Sequence, residues 1–318
     1  MYRDKSIAVV VPAYNEERLI TRVIETMPDF VDWIVVVDDN SKDQTSQVVE
    51  TLQQEPAWKH RLYLIRHERN RGVGGAISSG YKWAKGKEAD IAVVMAGDAQ
   101  MAPDDLPALL DPIVDDHADY TKGNRLITGD AWKLIPHWRY LGNAALSLLT
   151  KIASGYWHVA DSQCGYTAIS KRALNTIDLD NIYPRYGMPN HLLIQLNIFN
   201  MRVRDVPVKP VYGIGEQSGI RPFPLIFTLS WRLLNWFLWR IKEKYVIRDF
   251  HPLVFFYALA SMLLFLCLPL SARLIYFLFC FGNIPKVNAL ALMFCSIAGL
   301  QSLFFAMWFD MESNKDLK

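Results

Sequence analysis

Four polar clusters, each directly after a run of aliphatic residues, carry most of the side chains that could do chemistry. They are PAYNEE from Pro12, DDNSKDQT from Asp38, RHERNRGVGG from Arg66 and AGDAQ from Ala96. Asp38 and Asp39 can accept hydrogen bonds from a nucleobase N–H or from ribose hydroxyls. Asp39 could equally cap a helix or form the turn ahead of Ser41 to Asp43. Gly72, Gly74 and Gly75 suit a loop whose backbone comes near phosphates, and equally suit an ordinary turn. Asp98 and Gln100 are oxygen donors of the kind that hold Mg2+ or Mn2+ when substrate phosphates and water complete an octahedron. The alternative for Asp98 is a turn cap in a protein that uses no metal.

The aliphatic runs IAVVVP, WIVVVDD, LYLIR and IAVVM are continuous rather than alternating, as in parallel strands buried on both faces. Between them, Glu16 to Met27, Asp43 to Glu55 and Gly74 to Lys85 are amphipathic and predict helices. That is the rhythm of βαβ units. Ligands of open parallel sheets bind beyond the carboxyl ends of the strands, which is where the four clusters fall.

The 318 residues can hold one α/β catalytic domain of ordinary size plus something extra, and the 51% hydrophobic content is a little above the soluble norm, with the excess at one end. Pro252 to Ala272 and Val287 to Phe309 contain no charged residue, and each is long enough for a membrane span. MYRDKSIAVVVP lacks the apolar core and cleavage site of a signal peptide, so the preceding domain is expected in the cytoplasm. Arg240, Lys242, Lys244 and Arg248 crowd the entry to the first span, against Arg273 and Lys286 between the spans, and this bias predicts that both ends are cytoplasmic. Two further stretches, AWKLIPHWRYLGNAALSLLTK from Ala131 and PLIFTLSWRLLNWFLWRIKEK from Pro224, read as interfacial amphipathic helices. In the second, Trp231, Trp236 and Trp239 lie among Leu and Phe, and Arg232, Arg240 and Lys242 are expected to snorkel to headgroups; a helix packed on protein is the alternative. A net charge of +2 speaks against nucleic-acid binding. The four cysteines make no disulfide or zinc framework, and His67, His158 and His191 are too scattered for a metal site.

VVVPAYNEE, VVVDDNSKDQT, NRGVGGAISSGYKWA and the GDAQ segment, in this order, resemble the nucleotide-sugar half of family 2 glycosyltransferases. Within that family the chain is most similar to the dolichol-phosphate mannose synthase and polyprenyl-phosphate glucosyltransferase group, over roughly residues 5 to 215. The resemblance implies an α/β, Rossmann-like GT-A domain over 1–222, an interfacial amphipathic helix over 223–250, and a two-span membrane anchor over 251–318. It implies that Pro12, Tyr14 and Glu16 line the nucleotide-sugar pocket with Asp38, Asp39, Gly74 and Asp98, and that Asp161, in DSQCGYTAISKRAL, faces the sugar. It also implies that Arg125 and Arg139, with Lys122 as helper, hold an acceptor phosphate. The chain departs from the family's Asp-x-Asp signature: positions 96 to 98 read Ala96, Gly97, Asp98, leaving Asp98 and Gln100 to bind Mg2+ or Mn2+.

A sugar hydroxyl acceptor would need a general base, whereas a phosphate monoester, with a second pKa near 6, is already anionic at neutral pH. Where many members carry an acidic base pair this chain reads GMPNHLL, with Asn190 and His191, and the QxxRW signature of processive synthases is absent. The expected activity is inverting transfer of a hexose from a GDP-mannose or UDP-glucose type donor to a polyprenyl or dolichyl phosphate at the cytoplasmic membrane face. Asp98, Arg125 and Arg139 are its expected catalytic residues. The rivals are a membrane-tethered enzyme acting on a sugar or protein hydroxyl, with Asp161 as base, and a nucleotide-sugar-binding protein that has lost turnover with the carboxylate at position 96. Homo-oligomerisation is left open.

Overall fold

The computed structural model describes residues 1–126, 137–209 and 222–318. It divides into two compact units, residues 1–237 with 317–318, and residues 238–316.

The first unit is a seven-stranded mixed sheet in the order β3-β2-β1-β4-β6-β5-β7. The strands are β1 (Ile7–Ala13), β2 (Trp33–Asp38), β3 (Leu62–Arg66), β4 (Ile91–Val94), β5 (Tyr120–Asn124), β6 (Thr167–Ser170) and β7 (Val203–Pro207). β1 to β4 are the four aliphatic runs, paired in parallel; Ile7 to Val11 and Ile34 to Val37 are fully buried, which accounts for their unbroken apolar character. α1 (Ile20–Glu25), α2 (Thr45–Gln54) and α4 (Leu106–Val114) cover one face, with Ile20, Ile24, Val49 and Leu109 buried on Ile7, Val9 and Val36. α3 (Val73–Gly86), α6 (Lys171–Thr176) and α7 (Met188–Ile198) cover the other, where Ile77, Tyr81, Leu174 and Leu192 meet Ala8, Val10 and Val35. α5 (His137–Ser154) lies between β5 and β6 in the chain.

β6 runs antiparallel to both β4 and β5. Two reversals return β5 to the direction of β4. The carboxyl ends of β1, β2, β4 and β5 therefore share one edge of the sheet with the start of β6.

The second unit holds the end of α8 (Pro222–Lys242), a π-helical turn (Glu243–Arg248), and the paired helices α9 (Leu253–Phe281) and α10 (Lys286–Ser313). α9 and α10, of 29 and 28 residues, are long and apolar enough to cross a membrane. Arg240 does not snorkel as expected. It is fully buried and grips Asp310 through both nitrogens at 2.9 and 2.7 Å, while Tyr245 donates to the same carboxylate at 2.7 Å. A buried arginine is tolerated because a bidentate partner offsets its desolvation. In the first unit Arg232 also turns to protein, lying 4.6 Å from the centre of the Tyr183 ring, and Trp236 packs on Tyr183 and His191. Trp231, Leu234 and Lys242 remain exposed.

Candidate functional site

The strand-end clusters meet along the shared edge of the sheet. Asp38 ends β2, and its carboxylate accepts the Ser41 N–H at 3.0 Å and the hydroxyls of Ser41 and Ser46. This is the turn expected of Asp39, made by its neighbour. Asp39 reaches the other way: Oδ1 accepts the Arg71 N–H at 2.8 Å and Oδ2 the Gly72 N–H at 2.7 Å. His67 Nδ1 also lies 2.7 Å from Oδ1, and its Nε2 lies 2.9 Å from Ser79 Oγ. Both aspartates are buried, at 4% and 3% exposure, and serve here as loop tethers rather than as open acceptors.

The glycine cluster forms the turn that was its alternative reading. Gly72 caps α3 with φ of +81°, a conformation that favours glycine, while Gly74 and Gly75 lie inside the first turn of the helix. Their N–H groups donate to Pro184 O at 2.9 and 3.3 Å. A Cβ on Gly74 would lie 2.1 Å from Tyr183 O. The close approach thus seats the loop before α7.

Pro12 and Tyr14 stand at the end of β1, Tyr14 being exposed. The loop after them is fastened to the loop after β2, since Glu16 N–H donates to Thr45 Oγ1 at 2.8 Å and Lys42 N–H to Asn15 Oδ1 at 2.8 Å. The backbone fixes Glu16 beside the turn after β4: a Cβ on Gly97 would lie 3.5 Å from Glu16 Cγ. Asp98 Oδ1 accepts the Gln100 N–H at 3.1 Å across Ala99, whose φ is +57°. Burial, then the charges of Asp98 and Asp43, push the Glu16 carboxyl up to about 7. Carboxylates that repel one another in this way fit a divalent cation, which would relieve the repulsion. Among the described residues no three Asp, Glu, His or Cys side chains form a complete cage. Asp98 and Gln100, with Glu16 near, therefore suit a hard ion that shares its shell with substrate phosphates.

Arg125 follows β5 directly, and Asp161 precedes β6, 36 positions away in sequence. Asp161 Oδ2 accepts from Arg125 Nε at 2.8 Å and Oδ1 from Nη2 at 3.1 Å. Burial alone would raise the Asp161 carboxyl, but the Arg125 charge and its hydrogen bonds outweigh burial and hold it below the usual range. Asp161 is thus engaged by an arginine and is a poor candidate for a base. Lys122 is a correction: it is fully buried, donates to the Cys164 carbonyl, and is lowered from the usual lysine range by burial. It offers no cation to an acceptor at the surface. Arg139 falls in the first turn of α5, and its side chain lies outside the described residues. His158 Nε2 meets Val203 O at 2.7 Å, and His191 Nδ1 accepts from Tyr183 N–H at 3.3 Å, so both are structurally satisfied.

Residues 8–178 match the family model described as glycosyl transferase family 2. The chain is 36% identical over 73% of its length to the UDP-N-acetylglucosamine–dolichyl-phosphate N-acetylglucosaminyltransferase of Methanococcus voltae, covering 96% of that protein. It is 29% identical over 67% of its length to the undecaprenyl-phosphate mannosyltransferase of Micrococcus luteus, covering 88% of that protein. In fold it is similar to glucosyl-3-phosphoglycerate synthase of Mycobacterium tuberculosis in complex with Mn2+, UDP-glucose and phosphoglyceric acid, with a TM-score of 0.53, 22% identity, and coverage of 74% of this chain and 80% of that one. The chain belongs to glycosyl transferase family 2, and its mixed sheet is of the GT-A type.

Two features escaped the sequence reading. The Arg125 to Asp161 pair depends on β5 and β6 being neighbours, which no local pattern reveals. Pro184, the acceptor for the glycine turn, lies more than a hundred positions from it. Glu16 had a usable signal, because a carboxylate three residues beyond the end of β1 faces the same edge as one beyond the next parallel strand.

Proposed function

We propose that the protein transfers a sugar from a nucleotide-sugar donor to a polyprenyl or dolichyl phosphate, with inversion at the anomeric carbon, at the cytoplasmic face of a membrane. The observation that carries this reading is the Arg125 guanidinium, held by Asp161 at the sheet edge that also bears Asp98 and Glu16. β6 alone separates β4 from β5, so the strand ends that carry Asp98 and Arg125 are about 10 Å apart, which suits a donor diphosphate and an acceptor phosphate lying side by side.

In this reading Pro12, Tyr14 and Glu16 line the nucleotide side, and Asp38 and Asp39 act through the loops they tether. Asp98 and Gln100 would hold Mg2+ or Mn2+, which when bound neutralises charge on the leaving nucleoside diphosphate. Arg125, joined by Arg139 from α5, pairs with the acceptor phosphate and directs one oxygen at the anomeric carbon. A bond forms between that oxygen and the carbon as the bond to the nucleoside diphosphate breaks, and no proton need be removed. Asp161, already paired with Arg125, supports this phosphate acceptor over a hydroxyl acceptor that needs a base. The two apolar helices, with the exposed Trp231 and Leu234 of α8, support attachment to the membrane where such a lipid resides.

Purified full-length protein should be offered UDP-N-acetylglucosamine, UDP-glucose and GDP-mannose, each with a short polyprenyl phosphate and with the matching free polyprenol. The N-acetylglucosamine donor comes first because the Methanococcus voltae relative is named for it. A lipid-phosphate-linked sugar is the expected product. Transfer to polyprenol or another hydroxyl, with none to the phosphate, would overturn the reading.

A further inference from the structure

Asp161 is 3% exposed and sits in a turn fixed from three sides. Ser162 Oγ lies 3.2 Å from Ser147 Oγ of α5, Gln163 Nε2 donates to Asn190 Oδ1 of α7 at 3.2 Å, and the Cys164 carbonyl accepts from Lys122 of β5. The carboxylate is therefore a fixed point, and the longer Arg125 side chain conforms to it. Asp161 takes Arg125 three ways: Nε at 2.8 Å, Nη2 at 3.1 Å and the backbone N–H at 3.3 Å. A planar guanidinium gripped through Nε and one Nη has its plane and direction set, while its side chain keeps 30% exposure at the sheet edge.

We infer that Asp161 is a positioning residue for acceptor recognition, fixing the Arg125 guanidinium in the orientation in which it meets the acceptor phosphate, and that it neither contacts the donor sugar nor moves a proton. The inference rests on the acceptor reading above. It replaces the two roles that residue type alone would suggest, sugar contact and general base. A base needs an oxygen turned to its substrate, whereas one Asp161 oxygen accepts from Arg125 Nε and backbone N–H, and the other from Arg125 Nη2 and the Gln163 N–H at 3.3 Å.

A double-mutant cycle on the full-length protein in detergent, with Arg125→Ala, Asp161→Asn and the pair, tests it. Donor affinity is read by calorimetry, and KM for polyprenyl phosphate and kcat by transfer assay. Asp161→Asn should raise the acceptor KM about tenfold, leave donor affinity within about twofold, and add nothing to Arg125→Ala in the double variant. Asp161→Glu should restore part of the loss. An Asp161→Asn effect that persists in full beside Arg125→Ala, or that falls on donor affinity, would overturn the inference while leaving the acceptor reading intact. An acceptor KM unchanged in Arg125→Ala would instead sink the acceptor reading itself. Should Asp161→Asn fail to fold, Arg125→Lys decides, because lysine keeps the charge and loses the two-pronged grip: an acceptor KM equal to that of the natural protein refutes the positioning role.

Discussion

Asp39 Oδ2 accepts the backbone N–H of Gly72 at 2.7 Å, so a carboxylate at the end of β2 sets where α3 begins. Its other oxygen takes Arg71 N–H and His67, and the glycine turn so fixed receives the loop before α7 through Pro184. One buried side chain thereby links three segments that border the proposed donor pocket. Charge-assisted bonds to backbone N–H groups are among the stronger ones, and they leave expensive orphans when the acceptor is removed.

Asp39→Ala strands two backbone donors in a site of 3% exposure and should cost on the order of 3 kcal/mol of stability. Donor affinity should fall about tenfold or more, because the turn that shapes the pocket loosens. Thermal unfolding and calorimetric titration with the nucleotide sugar check the two effects. Unchanged donor affinity in a folded Asp39→Ala protein would separate the tether from the pocket.

Asp98→Asn keeps the turn acceptor for Gln100 N–H and removes an anionic ligand. Turnover should drop about a hundredfold or more, with the fold intact. Manganese binding in the presence of UDP, followed by electron paramagnetic resonance, should weaken in parallel. Removing divalent ions with chelator should abolish turnover of the natural protein, and activity that survives chelation would show a metal-independent enzyme.

How much of this could be read beforehand differs sharply between the halves of the sheet. Continuous aliphatic runs predict β1 to β4 within a residue or two, and β1, β2 and β4 are rich in Val and Ile because they are buried on both faces. β5, YTKGN, gives no such signal although every residue in it is buried, since Lys122 and Asn124 are satisfied by Cys164 and Asp205 from distant segments. The antiparallel insertion of β6 is equally silent, yet it brings Asp161 to Arg125. Residue type draws attention to Asp38, Asp39 and Asp161 without revealing that each is occupied by its own protein. Lys122 and Arg240 depart from expectation for one reason: a cation on a half-polar segment looks exposed until its buried acceptor is known.

His191 offers a pH test. Burial lowers it to about 4, so it stays neutral in the fold while the unfolded chain takes up a proton near 6.5. As pH falls from 6.5 towards 4 only the unfolded state gains a proton, and stability should decline by up to about 3 kcal/mol over that window. Above 6.5 this group contributes no pH dependence. His191→Asn keeps an acceptor for the Tyr183 N–H and cannot titrate, so its thermal midpoint in detergent should lose less between pH 7 and 4.5 than that of the natural protein. Equal acid sensitivity of the two would place the effect elsewhere.

The membrane topology carries the last prediction. α9 and α10 have 29 and 28 residues, about 40 Å each, enough to cross the hydrocarbon core and return. Lys242, Lys244 and Arg248 precede the first crossing, whereas Arg273 and Lys286 are the charges near the connection, so the positive-inside rule favours a cytoplasmic sheet unit. Val203 N–H, at the start of β7, donates to Leu317 O at 3.0 Å, and this bond requires the residues after α10 to lie on the same side as the sheet. A reporter fused after Lys318 should therefore behave as cytoplasmic, and a cysteine introduced as Asn283→Cys, in the connection between α9 and α10, should react with an impermeant maleimide added from the opposite face. Reporter activity on the outer face, or labelling of position 283 only after the membrane is opened, would contradict two crossings in this orientation.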